Sequence, residues 1–178
     1  FSKIADEVDI PQILYNVPSR TASDLEPETV MKLANHPNIV GIKEALDSSK
    51  RLEELLSISH NLSDQTCFSV FSGDDPTFNS FMANGGDGVI SVAANIVPQY
   101  IAKICSLNLD QQFSDAKKLD SNLKNLYELL FIESNPIPVK WILHKMDRIQ
   151  PGIRLPLIPF NNDYHAQTSK EMIKLKLI

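Results

Sequence analysis

Lysine becomes a nucleophile when its ammonium loses hydration, and Lys43 ends a stretch suited to that, Ile39-Val40-Gly41-Ile42-Lys43. Its β-branched residues favour a strand. Strand side chains alternate between faces, so Ile39, Gly41 and Lys43 point one way and Val40 and Ile42 the other. Apolar surroundings disfavour the charged form, and the amine so released can attack a carbonyl carbon to give an imine. On this pattern alone, a structural ion pair with neighbouring Glu44 explains the lysine equally well. In the candidate strand before it, residues 12–16, Tyr15 shares a face with Ile13. Its phenol is then expected beside Lys43, about 5 Å away across the sheet, where it can relay protons. An isolated strand tyrosine is more often a packing residue with a satisfied hydroxyl.

Arg20 follows in Val17-Pro18-Ser19-Arg20-Thr21. A guanidinium there can grip a carboxylate with two parallel hydrogen bonds, although a lone loop arginine is commonly only a solvated charge. Two further turns, Ser72-Gly73-Asp74-Asp75 and Ala93-Ala94-Asn95, follow the later strand candidates. Gly73 lets a substrate approach the backbone closely, and at least one of the paired aspartates is expected to cap the next helix. No second carboxylate cluster or phosphate loop accompanies them, so no metal is expected. His36, His60, His144 and His165 join no Ser or Cys in a catalytic arrangement. Cys67 and Cys105 form neither a C-x-x-C pair nor a zinc-ligand spacing, which fits a reducing cytoplasm.

The elements that must position these groups show in the periodicity. Strands are predicted at 12–16, 39–43, 68–72 and 88–92, and helices at 27–35, 48–60, 76–84 and 97–107. Alternation of this kind marks βα units on a parallel sheet. Four units are half of a (β/α)8 TIM barrel, in which catalytic groups stand at the C-terminal ends of the strands. An open doubly wound sheet is disfavoured because the first strand lacks a G-x-G-x-x-G loop. Beyond Asn108 the strand signals stop, while Phe113, Ala116, Leu119, Leu123, Leu126 and Leu130 recur on one helical face. Further helices are predicted at 137–146 and 163–177, separated by a proline-rich connector at 151–159. The expected division is therefore 1–108, a half-barrel with Tyr15 and Lys43, and 109–178, a C-terminal helical domain.

A hydrophobic share of 43% and a charged share of 22% describe a globular chain with an apolar core. A net charge of −5 without a basic stripe argues against nucleic acid or an anionic membrane surface. No run of about eighteen apolar residues and no signal peptide appear, which supports a cytoplasmic enzyme. The chain opens on Phe1, and Ile4-Ala5-Asp6-Glu7-Val8 reads like the end of a helix, so a fragment of a longer protein is expected.

Five stretches together resemble the dihydrodipicolinate synthase family: Tyr15-Asn16-Val17-Pro18-Ser19-Arg20-Thr21, Gly41-Ile42-Lys43-Glu44-Ala45, Ser72-Gly73-Asp74-Asp75, Gly85-Gly86-Asp87-Gly88-Val89-Ile90-Ser91-Val92 and Asn135-Pro136-Ile137-Pro138-Val139-Lys140. The resemblance runs from Ile10 to about Pro159 in the family's order. It implies the C-terminal part of a class I aldolase-type lyase that condenses pyruvate with L-aspartate semialdehyde on the route to diaminopimelate and lysine. Lys43 matches the imine-forming lysine and Tyr15 the proton-relay tyrosine. Arg20 matches the arginine that receives the semialdehyde carboxylate, Ile90 the residue whose backbone carbonyl faces pyruvate, and Gly73 a position in the pocket wall. The resemblance implies no metal or organic cofactor, and a homo-oligomer, a tetramer in the family. A threonine pair, a second tyrosine lent by a neighbouring subunit and the lysine feedback site belong to the family's first half-barrel and have no counterpart here. The missing N-terminal half-barrel is thus an implied partner, and the chain alone is expected to be inactive or severely impaired. N-acetylneuraminate lyases and 2-keto-3-deoxy sugar acid aldolases share the tyrosine and lysine, but Arg20 suits a short semialdehyde better. A catalytically dead scaffold is the remaining alternative.

Overall fold

The computed structural model describes residues 1–62 and 67–178. Strands β1 (Gln12–Asn16), β2 (Ile39–Glu44), β3 (Ser69–Ser72) and β4 (Gly88–Val89) form one parallel sheet in the order β1-β2-β3-β4. A helix α1 (Ser2–Glu7) precedes the sheet, and a single turn, α2 (Pro18–Thr21), follows β1. Parallel neighbours need crossovers, and α3 (Pro27–Ala34), α4 (Ser49–Asn61) and α5 (Phe78–Ala83) supply them.

Local sequence explains these helices. In α3, Pro27 occupies the first turn, where its missing N–H costs no intrahelical bond, and Val30, Leu33 and Ala34 are buried at helical spacing. In α4, the Ser48 hydroxyl accepts the Arg51 N–H at 3.2 Å, satisfying one of the orphan donors of a helix start. Leu52 and Leu55 of α4 join Leu14, Ile39, Ile42, Phe68 and Val70 in a core on the outer face of the sheet.

The register gives the sheet two alternating sets of rows. Leu14, Ile42 and Val70 stand side by side and face the helices, as do Asn16, Glu44 and Ser72 one step further on. Between them, Tyr15, Lys43, Phe71 and Gly88 form one row on the opposite face. Four parallel strands backed by helices are half of a (β/α)8 barrel, and the face that would line its interior is uncovered here, with Ile13 46% and Tyr15 47% exposed.

After β4 come α6 (Pro98–Leu109), α7 (Phe113–Ser121), α8 (Lys124–Leu130), α9 (Ile137–Lys145) and α10 (His165–Lys174). The change at residue 108 is a change in the kind of element, because one apolar core runs across it, from Phe78, Met82 and Ile104 to Leu126, Ile142 and Met172. The helical face predicted from Phe113 to Leu130 is broken in two. Ser121 donates its hydroxyl to the Lys118 carbonyl at 2.7 Å, the kind of side-chain competition that ends helices, and Leu123 restarts the next one from a buried position. Strand β4 is shorter than the predicted 88–92, and the predicted 163–177 helix is α10 preceded by a 3-10 turn at Asn162–Tyr164. No helix among the described residues is long and apolar enough to cross a membrane.

Candidate active site

Tyr15 and Lys43 are directly paired across β1 and β2. The Lys43 ammonium lies 4.1 Å from the centre of the Tyr15 ring, over its face, an arrangement held by the ring quadrupole. Glu44, its neighbour in sequence, points to the opposite face and is 2% exposed. The Glu44 ion pair that the sequence left open is therefore not what holds Lys43.

Gly73 bounds the lysine on its other side. A Cβ there would stand 3.0 Å from Lys43 Cε and 3.1 Å from its Cγ, so glycine at this position leaves room for the lysine stem beside the turn. Arg20 lies exposed in the turn α2, at the C-terminal end of β1. Ile90 is 42% exposed and its N–H donates to the Ser72 carbonyl at 2.9 Å, continuing the β3–β4 ladder. All five candidate residues thus come from the C-terminal ends of the four strands or from the turns that follow them.

The expected aspartate cap takes a different form. Helix α5 starts from Thr77, which makes no side-chain cap. Asp74 accepts the Thr77 hydroxyl at 2.6 Å, while buried Asp75 reaches the next turn and accepts the Val92 and Ala93 N–H groups at 3.1 and 2.9 Å. Burial pushes the Asp75 carboxyl up, against hydrogen bonds from Ser91, Ala93 and Val92. Asp75 therefore anchors the segment that carries Ile90, because two adjacent backbone donors leave the strand end and need an acceptor.

A polar network behind the reacting row was not foreseen. The Asn16 side-chain amide donates to both Glu44 oxygens, at 3.1 and 2.9 Å, and to Asp24 at 2.8 Å. Glu44 also accepts the Leu46 N–H at 2.8 Å. Arg51, 6% exposed, donates to the Leu25 carbonyl at 2.9 Å and to the Asp24 carboxylate, and its guanidinium stands 3.7 Å from Glu44. Burial pushes the Glu44 carboxyl above its ordinary value, opposed by the Asn16 and Leu46 hydrogen bonds and the Arg51 charge. Burial also raises Asp24, but hydrogen bonds from Asn16 and Arg51 and the Arg51 charge together hold it below its ordinary value. The available signal was a run of polar residues, Asn16, Glu44 and Ser72, at outward positions of otherwise apolar strands.

The histidines lie away from this row. His36 meets Asp6 at 3.0 Å, and His165 stacks on Trp141 at 4.5 Å in an aromatic cluster with Phe160. Among the described residues, no group of three or more His, Cys, Asp or Glu is placed to hold a metal ion.

The sequence pattern of the Dihydrodipicolinate synthetase family matches residues 1–175. A 4-hydroxy-tetrahydrodipicolinate synthase from Teredinibacter turnerae is 49% identical over 170 residues, which is 96% of this chain and 57% of that protein. Among solved structures, the chloride-inhibited dihydrodipicolinate synthase of Acinetobacter baumannii complexed with pyruvate is 42% identical and superposes with a TM-score of 0.89, covering 99% of this chain and 59% of that one. The dihydrodipicolinate synthase of Aquifex aeolicus gives 36% identity and a TM-score of 0.90, covering 98% and 58%. The chain thus spans under two thirds of these relatives' length and corresponds to their C-terminal part.

Proposed function

We propose, on the premise that this chain belongs to the Dihydrodipicolinate synthetase family, that it is the imine-forming part of a 4-hydroxy-tetrahydrodipicolinate synthase, which joins pyruvate to L-aspartate semialdehyde. The observation that carries this is the Lys43 ammonium over the Tyr15 ring, 4.1 Å from its centre, at the C-terminal ends of β1 and β2. Pyruvate in the Acinetobacter baumannii relative supports the choice of keto acid.

In this chemistry the neutral Lys43 amine attacks the keto carbon of pyruvate, and the oxygen leaves as water. The protonated imine withdraws electrons, so a proton leaves the methyl group. The resulting enamine carbon attacks the aldehyde of the second substrate, and that substrate's amino group then adds to the imine carbon and displaces Lys43, which leaves as the free amine. Tyr15 carries protons to and from these centres, Arg20 binds the semialdehyde carboxylate, and the Ile90 carbonyl and the Gly73 turn bound the pyruvate. Lysine supplies the electron sink, so neither a metal nor an organic cofactor takes part.

The uncovered face carries Ile13, Tyr15 and Ile90, each more than two-fifths exposed. In the proposed enzyme the preceding half-barrel covers it and brings the remaining groups that orient pyruvate, within a homo-oligomer. Proximity and alignment account for much of a catalysed rate, so half a site is expected to turn over at background. Product formation from pyruvate and L-aspartate semialdehyde, measured for this chain alone and after addition of the uncovered 43% of the Teredinibacter turnerae relative, tests this. Turnover is expected only in the mixture. An enzyme-like rate from the chain alone contradicts the shared site, and cleavage of N-acetylneuraminate in place of condensation overturns the substrate assignment.

A further inference from the structure

We infer that Glu44 and Asn16 are positioning residues for Lys43 and Tyr15, fixing both strand ends from behind the sheet; this rests on the assignment of Lys43 as the imine-forming lysine. The row Leu14, Ile42 and Val70 is apolar and buried, as the outer face of a barrel strand should be. One step later the same face carries Asn16, Glu44 and Ser72, all at 2% exposure or less. Burying a carboxylate and an amide is costly unless each is hydrogen-bonded, and aliphatic side chains would fill the space without that cost. The expense falls at the single row that follows Tyr15 and Lys43 in both strands.

The bonds formed there tie together the segments that carry the candidate groups. Backbone pairing already extends past the reacting row, with the Ala45 N–H donating to the Asn16 carbonyl at 3.0 Å and the Gly73 N–H to the Glu44 carbonyl at 2.7 Å. The Asn16 amide adds a side-chain link between β1 and β2 through Glu44. Its carbonyl oxygen accepts the Leu25 N–H at 3.0 Å, which fixes the return of the turn holding Arg20. Arg51 of α4 closes the ring onto Leu25 and Asp24. Glu44 meets donors on both oxygens, Asn16 and Leu46 on one and Asn16 on the other. Only an acceptor at both atoms satisfies that arrangement. In Glu44→Gln, either orientation of the new amide sets a donor against a donor.

The test is the rate at which borohydride traps the pyruvate adduct on the chain supplemented with the uncovered 43% of the Teredinibacter turnerae relative, measured across pyruvate concentrations. Glu44→Gln and Asn16→Ala are expected to lower the limiting trapping rate about tenfold or more, with the half-saturating pyruvate concentration little changed. Glu44→Asp, which keeps both acceptors, should recover part of the loss, and it decides the matter if Glu44→Gln does not fold. Tyr127→Phe deletes a buried hydrogen bond to Asp120 in the helical core. It should lower the melting temperature while trapping at the unsubstituted rate. Folded Glu44 and Asn16 variants that trap at that rate overturn the inference, as does equal slowing in Tyr127→Phe. An unsubstituted chain that forms no adduct in that mixture removes the Lys43 assignment itself and this inference with it.

Discussion

The two faces of the sheet are made from alternate residues of the same four strands, yet they differ in cover and in content. On the outer face Leu14, Ile42 and Val70 are at most 3% exposed, packed under α3 and α4. On the inner face Ile13 and Tyr15 are about half exposed, and Lys43 is only partly covered. The outer face therefore holds the chain's stability and places the strand ends, while the inner face presents groups that stability does not need. Substitutions on the two faces should separate folding from chemistry.

The largest effect is expected from Lys43→Ala, which removes the nucleophile. Product formation in the reconstituted protein should fall to background, while the denaturation midpoint of the chain moves little, since the side chain packs mainly on a tyrosine face and a glycine. Tyr15→Phe comes next, with a loss of roughly a hundredfold in turnover, the usual scale for a proton-transfer group, and an unchanged fold by circular dichroism. A phenylalanine variant with full activity would remove the relay and leave Tyr15 as a packing residue.

Stability should show the reverse pattern. Ile42→Ala, at a site with no exposure, is expected to cost about 3 kcal/mol in denaturant unfolding. Ile13→Ala, on the uncovered face, should cost below about 1 kcal/mol. Equal costs would mean that the inner face of the chain is covered in solution.

The smallest effect concerns pH. Burial raises the carboxyls of Glu44, Asp75 and Asp120. The folded state then keeps protons that the unfolded chain has released, so their contribution is full below the ordinary carboxylate range, near about 4, and is lost as pH rises through their folded values. Asp24, held low, acts oppositely: its contribution stands above its ordinary value and is lost as pH falls through the lowered one. Denaturant midpoints should therefore decline from mildly acidic pH toward neutrality, and Asp75→Asn, which cannot ionise, should flatten that decline. An unaltered slope would show that Asp75 titrates alike in both states.

Much of this organisation was legible in the sequence, because the alternation Gly41-Ile42-Lys43 carries its own face assignment; it fails only at Ile39, expected on the Lys43 face, which the register shift at the start of the β1–β2 pairing leaves in the outer core. The same alternation places Tyr15 and Lys43 together on one side of the sheet. Elements that depend on distant partners were less legible. Strand β4 ends at Val89 because residues 92 and 93 turn away to meet Asp75, seventeen and eighteen positions earlier. The Asn16–Glu44–Arg51–Asp24 network was missed for the same reason, since it depends on the β1–β2 register and the seating of α4. Polar residues at outward strand positions signal such a network but do not identify its partners.

Borohydride reduction of the chain, supplemented with the preceding half-barrel, in the presence of pyruvate, followed by peptide mapping of the modified lysine, tests the central claim most directly. A single adduct on Lys43, absent in Tyr15-intact Lys43→Ala, is the predicted result. Modification spread over the exposed lysines with none at position 43 would contradict it.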